Sequence, residues 1–171
     1  MLGFATFGVL GYHLQVRHII STPWIAVVYA GAMGAAAIAA LVSGRFYDRF
    51  GLRGLVLLPV IAALIPFLSF STTPLLVVLG GLVWGAVMGV HESTMRAAVA
   101  DLVPAARRGF GYGTFGAVYG LAWLGGAAAI GTLYDHSVGS AEVFVLVVQA
   151  AALVSFVPLW RSPPSAKTPD L

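Results

Sequence analysis

Long apolar runs separated by short polar breaks dominate the sequence. A helix crossing a bilayer needs about 20 mostly apolar residues, because the hydrocarbon core is about 30 Å thick and each residue rises about 1.5 Å. Five runs meet that length. Trp24–Ser43 carries no charge, and Gly54–Thr72 is broken only by Pro59 and Pro66, which kink a membrane helix without ending it. Pro74–Val90 opens on a proline suited to a first helical turn and can continue through Ala100. Gly111–Leu133 and Ala141–Trp160 complete the five. A sixth run, Met1–Tyr12, reaches spanning length only if His13 and Gln15 are included. It lacks a basic n-region and an Ala-x-Ala cleavage site, so it reads as the second half of a helix rather than a signal peptide. The expected organisation is an all-α polytopic membrane bundle with spans near 1–15, 24–43, 54–72, 74–100, 111–133 and 141–160. A proline-containing, disordered tail over 161–171 follows.

Composition fixes the solvent. Of 171 residues, 60 % are hydrophobic and 9 % charged, and mean hydropathy is +0.95. A soluble domain has about 25 % charged residues, so too few are present here to cover a surface in water. That excludes a soluble enzyme or a nucleic-acid binder. With no cysteine, disulfides and thiolate chemistry are also excluded.

The basic residues give orientation, because Lys and Arg are retained on the cytoplasmic side. Arg45, Arg49 and Arg53 follow one run; Arg96, Arg107 and Arg108 fall two crossings later; Arg161 and Lys167 follow the last run. All eight share one face and only Arg17 lies opposite, which predicts a plasma-membrane protein with its C-terminus in the cytoplasm. Glycines repeat at every fourth position in Gly81, Gly85 and Gly89, in Gly109 and Gly113, and in Gly116 and Gly120. Such spacing lets helix backbones approach when lipid removes the hydrophobic drive to associate.

Between the second and third runs stands Gly44-Arg45-Phe46-Tyr47-Asp48-Arg49-Phe50-Gly51-Leu52-Arg53. A positive loop explains the arginines but not an acid and two glycines at fixed offsets. The pattern Gly-x-x-x-Asp-Arg-x-Gly-x-Arg resembles the cytoplasmic loop motif of the major facilitator superfamily. The stretch from Glu92 to Pro104, then Arg107-Arg108-Gly109 and Gly131-Thr132-Leu133-Tyr134-Asp135, is similar to that family's tenth and eleventh helices. On this alignment the chain covers a truncated seventh helix through the twelfth, the C-terminal six-helix half. The resemblance implies secondary transport of a small solute by alternating access, with the cavity walled by two halves. The partners it implies are membrane lipid, a small-molecule substrate, and the missing N-terminal half or a second copy. The alternative is a membrane interaction protein, or a truncated product, that does not itself transport.

The resemblance makes Gly44, Asp48, Arg49, Gly51 and Arg53 a conformational latch, with Asp48 engaging the helix after Arg107-Arg108-Gly109 and Arg96 as ionic partner. The bland alternative is a solvated loop acid. Glu92 and Arg96, four apart on one helix face, can pair, and Asp101 and Arg107 can join them in a cytoplasmic charge network. They can equally snorkel to the interface. Polar and aromatic residues within spans are the candidate substrate contacts: Trp84, Tyr119, Trp123 and Gln149 lead, beside Tyr12, His13 and Gln15. Many such residues serve as interface anchors or packing groups. Histidine is the side chain whose ordinary titration falls near neutral pH, which makes His13 the candidate for proton coupling. His91-Glu92 begins a His-Glu-x-x-His zinc motif, but Met95 stands where the second ligand belongs. No enzyme activity, cofactor or metal is expected.

Overall fold

The computed structural model describes residues 1–157. The proposed tail, Trp160, Arg161 and Lys167 lie outside these residues. Six α-helices occur among the described residues: α1 (Phe7–Val16), α2 (Thr22–Phe50), α3 (Leu57–Ser69), α4 (Pro74–Leu102), α5 (Arg108–His136) and α6 (Val138–Ser155). No strand occurs among the described residues. The protein is an all-α membrane helical bundle. Its outer surface carries large apolar side chains, such as Leu41 at 72 % and Leu121 at 70 % exposure, which only a lipid solvent accommodates in such number.

The helix boundaries follow local chemistry. Pro23 and Pro74 stand in first turns, where a missing N–H costs nothing. Gly51 closes α2 with φ at +57°, a left-handed conformation that glycine adopts without a Cβ penalty. A 3-10 segment, Gly51–Val56, then delays α3 to Leu57. Pro104 follows the extended Val103 and stops α4. The single extended residue Ser137 separates α5 from α6, and its hydroxyl accepts from the Ser140 amide at 3.0 Å.

α2, α4 and α5 each hold 29 residues, about 43 Å of helix, and so outrun the hydrocarbon core. The expected spans 24–43, 74–100 and 111–133 are therefore the middles of longer rods. α4 is the hub, with 39 % of its most apolar window buried against 11 % for the other three long apolar stretches. α2 lies along one flank of α4, α3 packs beside it, and α6 bridges α3 and α5. α5 touches α4 only sparsely.

The α2–α4 contact rests on glycine. A methyl at Gly85 would land on the Ala32 carbonyl oxygen, one at Gly89 on that of Ala36, and one at Gly81 would sit 2.8 Å from Val28 Cγ1. The expectation of close packing holds at this stripe. It fails on α5, where Cβ atoms at Gly109, Gly113, Gly116 and Gly120 would meet nothing within 4 Å. Those four glycines border open space, Gly116 where α5 faces α4 across a hollow.

Candidate functional site

The glycine–acid–arginine motif lies on a helix rather than in a loop. Gly44, Asp48 and Arg49 occupy the last turns of α2, Gly51 ends it, and Arg53 stands in the 3-10 segment. Asp48 is exposed, and no hydrogen bond or ion pair joins it to Arg96 or to the start of α5. The preceding residue makes the crossing instead. The Tyr47 hydroxyl donates to the Asp101 carboxylate at 3.0 Å, tying the arginine-rich end of α2 to the C-terminal end of α4. About two turns deeper, the Ser93 hydroxyl on α4 donates to the Ala40 carbonyl of α2 at 3.3 Å.

Glu92 and Arg96 lie one turn apart on α4, both exposed and without an ion pair between them. Asp101 and Arg107 are likewise exposed, and among the described residues no ion pair links the four. Glu92 and Arg96 stand on the crest of α4 between two hollows. One, of 340 Å³, opens toward Ala36, Ala37 and Ala40 of α2. The other, of 480 Å³, runs between α4 and α5 and is lined by His91, Glu92, Arg96, Tyr112, Phe115, Gly116 and Tyr119.

The α4–α5 groove exists because the two helices diverge and because Gly116 contributes no side chain to fill it. Tyr112, Phe115 and Tyr119 recur at intervals of three and four along α5, so they stack on one face. Phe115 and Tyr119 pack at 5.5 Å between ring centroids, and Tyr119 meets Trp123 edge-on at 6.4 Å. The Tyr112 hydroxyl donates to the Arg96 carbonyl at 3.2 Å and joins α5 to α4 at the end of the groove nearer Arg108. His91 lies edge-on to Phe4 at 5.8 Å. His91 Nδ1, the Tyr119 hydroxyl and Trp123 Nε1 are all buried with no hydrogen-bond partner. An unpaired buried donor or acceptor costs about 1–3 kcal/mol. Two of the three atoms, those of His91 and Tyr119, belong to residues that line the groove.

Trp84 and Gln149 behave differently. Trp84, 3 % exposed, donates from Nε1 to the Ala5 carbonyl at 2.7 Å, and Gln149, 8 % exposed, donates from Nε2 to the Gly3 carbonyl at 3.1 Å. Residues 1–6 precede α1 without helical structure, and their carbonyls need partners once buried. Trp84 and Gln149 supply two of them.

His13 is similarly committed. It is 1 % exposed, its Nδ1 lies 2.5 Å from the Tyr134 hydroxyl, and its Nε2 lies 3.3 Å from the Ser71 carbonyl. A carbonyl can only accept, so Nε2 donates there and the neutral ring accepts from Tyr134. The imidazole thus joins α1, α5 and the α3–α4 link at the face opposite the arginine-rich ends.

The sequence pattern of the Major Facilitator Superfamily matches residues 1–171, the whole chain. The chain belongs to that superfamily. Uncharacterized proteins of Mycobacterium tuberculosis and Mycobacterium bovis are 46 % identical to it over 154 residues, covering 90 % of this chain and 38 % of theirs. A class H tetracycline resistance protein of Pasteurella multocida is 27 % identical over 119 residues, covering 68 % of this chain and 30 % of its own. The chain therefore spans less than two fifths of the length of these relatives. No solved structure matches it significantly. Superfamily members are transporters rather than enzymes, sit in lipid membranes and bind small molecules.

Within the superfamily motif, Tyr47 went unassigned on sequence although it adjoins the acid. Its position one residue before Asp48 turns it about 100° around the helix, which places it against α4 while Asp48 faces out. Tyr112 and Phe115 were also missed. Their three- and four-residue spacing with Tyr119 was the available signal. His91 was weighed only as a metal ligand, and no group of three His, Asp or Glu able to hold a metal occurs among the described residues.

Proposed function

We propose that this chain forms one six-helix half of a secondary transporter that moves a small solute across the plasma membrane by alternating access, with its C-terminus in the cytoplasm. The observation that carries the reading is the α4–α5 groove. Polar groups without partners, two charged side chains and an aromatic wall gather at one opening in an otherwise apolar bundle, where ionisable groups mark a solute or ion path. Tyr119 and Trp123 line the path, whereas Trp84 and Gln149 hold the backbone beside it. Gly44, Asp48, Arg49, Gly51 and Arg53 act as the latch in the conformation opposite to this one, where Asp48 reaches the start of α5. Glu92, Arg96, Asp101 and Arg107 rearrange with it as the helices rock. His13 is the candidate site of proton coupling at the outer end.

The open glycine face of α5 supports docking of further helices, supplied by the remainder of a longer protein or by a second copy. The same face favours a second reading, a membrane module that docks on a partner and does not transport. Solute flux separates the two. Vesicles containing the complete protein should show saturable, gradient-driven flux, with tetracycline the first solute to test because of the Pasteurella relative. Asp48→Asn should lower that flux without impairing insertion. Absence of flux for a broad solute panel in every assembly state would overturn the transporter reading and support the docking module.

A further inference from the structure

The groove between α4 and α5 has a charge pattern that restricts what fits it. Glu92 and Arg96 are opposite in sign and one turn apart, about 5–6 Å between Cβ atoms, a spacing at which such residues ordinarily pair. They do not pair here, although both line the same 480 Å³ hollow. That volume lies within the range of small-molecule sites, about 300–1,000 Å³. Tyr119 lies within electrostatic reach of both charges, and its hydroxyl lacks a partner. His91 Nδ1 adds a second unsatisfied polar atom from the α4 side. Phe115 and Tyr119 line the hollow from α5, their ring centroids 5.5 Å apart.

The depth sharpens the argument. His91 stands about 26 Å along α4 from Pro74, and Tyr119 about 16 Å along α5 from Arg108. The groove thus occupies the half of the bundle nearer the arginine-rich ends, partly within the apolar layer. An ion there that loses water without gaining a partner is costly. A singly charged ligand would satisfy one of Glu92 and Arg96 and desolvate the other. A compact ligand bearing both charges satisfies the two together and leaves the groove neutral.

We infer that the α4–α5 groove binds a zwitterionic aromatic solute, its cationic group against Glu92, its anionic group against Arg96 and its ring on Phe115 and Tyr119. The inference deepens the transporter reading, whose solute class it names. Equilibrium dialysis of the complete protein in lipid nanodiscs tests it with three probes on one indole frame: tryptophan, which carries both charges, tryptamine, which is cationic, and indole-3-propionate, which is anionic. Tryptophan should bind saturably and at least tenfold more tightly than either singly charged probe. Glu92→Gln should weaken tryptophan about tenfold and shift relative preference toward indole-3-propionate. Arg96→Gln should shift it toward tryptamine. The exchanged pair E92R with R96E, which restores neutrality, should recover the preference for tryptophan and so shows that a loss in the single variants is electrostatic rather than structural.

No saturable tryptophan binding, equal affinity for the three probes, or unchanged preference in both single variants would each overturn the inference. Failure here with persisting solute flux leaves transport standing with another substrate class. Binding as described without any flux leaves the groove assignment standing and removes the transporter reading.

Discussion

α4 has two flanks that differ in kind. Toward α2 it presents Gly81, Gly85 and Gly89, and the two backbones come so close that no side chain fits between them. Toward α5, beyond Glu92 and Arg96 on its crest, it presents His91, and the facing helix keeps its distance around a hollow. Polar atoms on the first flank find partners, as Ser93 does at Ala40 and Tyr47 at Asp101. On the second, His91 Nδ1, the Tyr119 hydroxyl and Trp123 Nε1 find none. One flank of a single helix is closed by backbone contact, while the other borders a hollow with unpartnered polar atoms.

The contrast can be broken most forcefully at the tight flank. Gly85→Val should destabilise the protein by more than about 3 kcal/mol, since the branched side chain must displace the Ala32 backbone. Thermal unfolding in detergent checks it, with Gly116→Val on the open side as the comparison. That second substitution should change stability by under about 0.5 kcal/mol while narrowing the groove and reducing tryptophan binding. Equal destabilisation by the two would erase the distinction between the flanks.

Trp84→Phe should cost about 1–3 kcal/mol, because it leaves the Ala5 carbonyl buried without its donor while preserving most of the packing. Increased hydrogen exchange over residues 1–10 would locate the loss at the N-terminal segment. An unchanged melting temperature would show that water replaces the indole N–H.

Two tyrosine-to-phenylalanine changes sharpen the comparison further. Tyr47→Phe removes a hydrogen bond to a carboxylate at an exposed helix end and should cost about 1 kcal/mol. Tyr119→Phe removes a hydroxyl that has no partner, so stability should stay within about 0.5 kcal/mol of the parent or rise. A destabilisation by Tyr119→Phe as large as that of Tyr47→Phe would mean that the Tyr119 hydroxyl is bonded in solution and that the groove is not an unsatisfied seam.

The sequence by itself determined the solvent, the helical class and the rough register of the helices. Runs of apolar residues near bilayer length admit few other structures, since lipid cannot satisfy an exposed backbone. Proline punctuation also located Pro74 at the start of a helix. The glycine stripe on α4 was legible for the same reason, and the motif ending at Arg53 carried the family. The identity of neighbours was not legible. Identical four-residue glycine spacing on α4 and α5 means contact in one helix and open space in the other, because spacing describes a face and only the packed bundle says what it meets. Trp84 and Tyr119 are both aromatic residues with a polar atom inside apolar runs. Only the tertiary structure shows that one clamps a backbone carbonyl and the other waits unpaired beside Glu92 and Arg96, since hydrogen-bond satisfaction depends on groups far away in the chain that folding alone brings within reach.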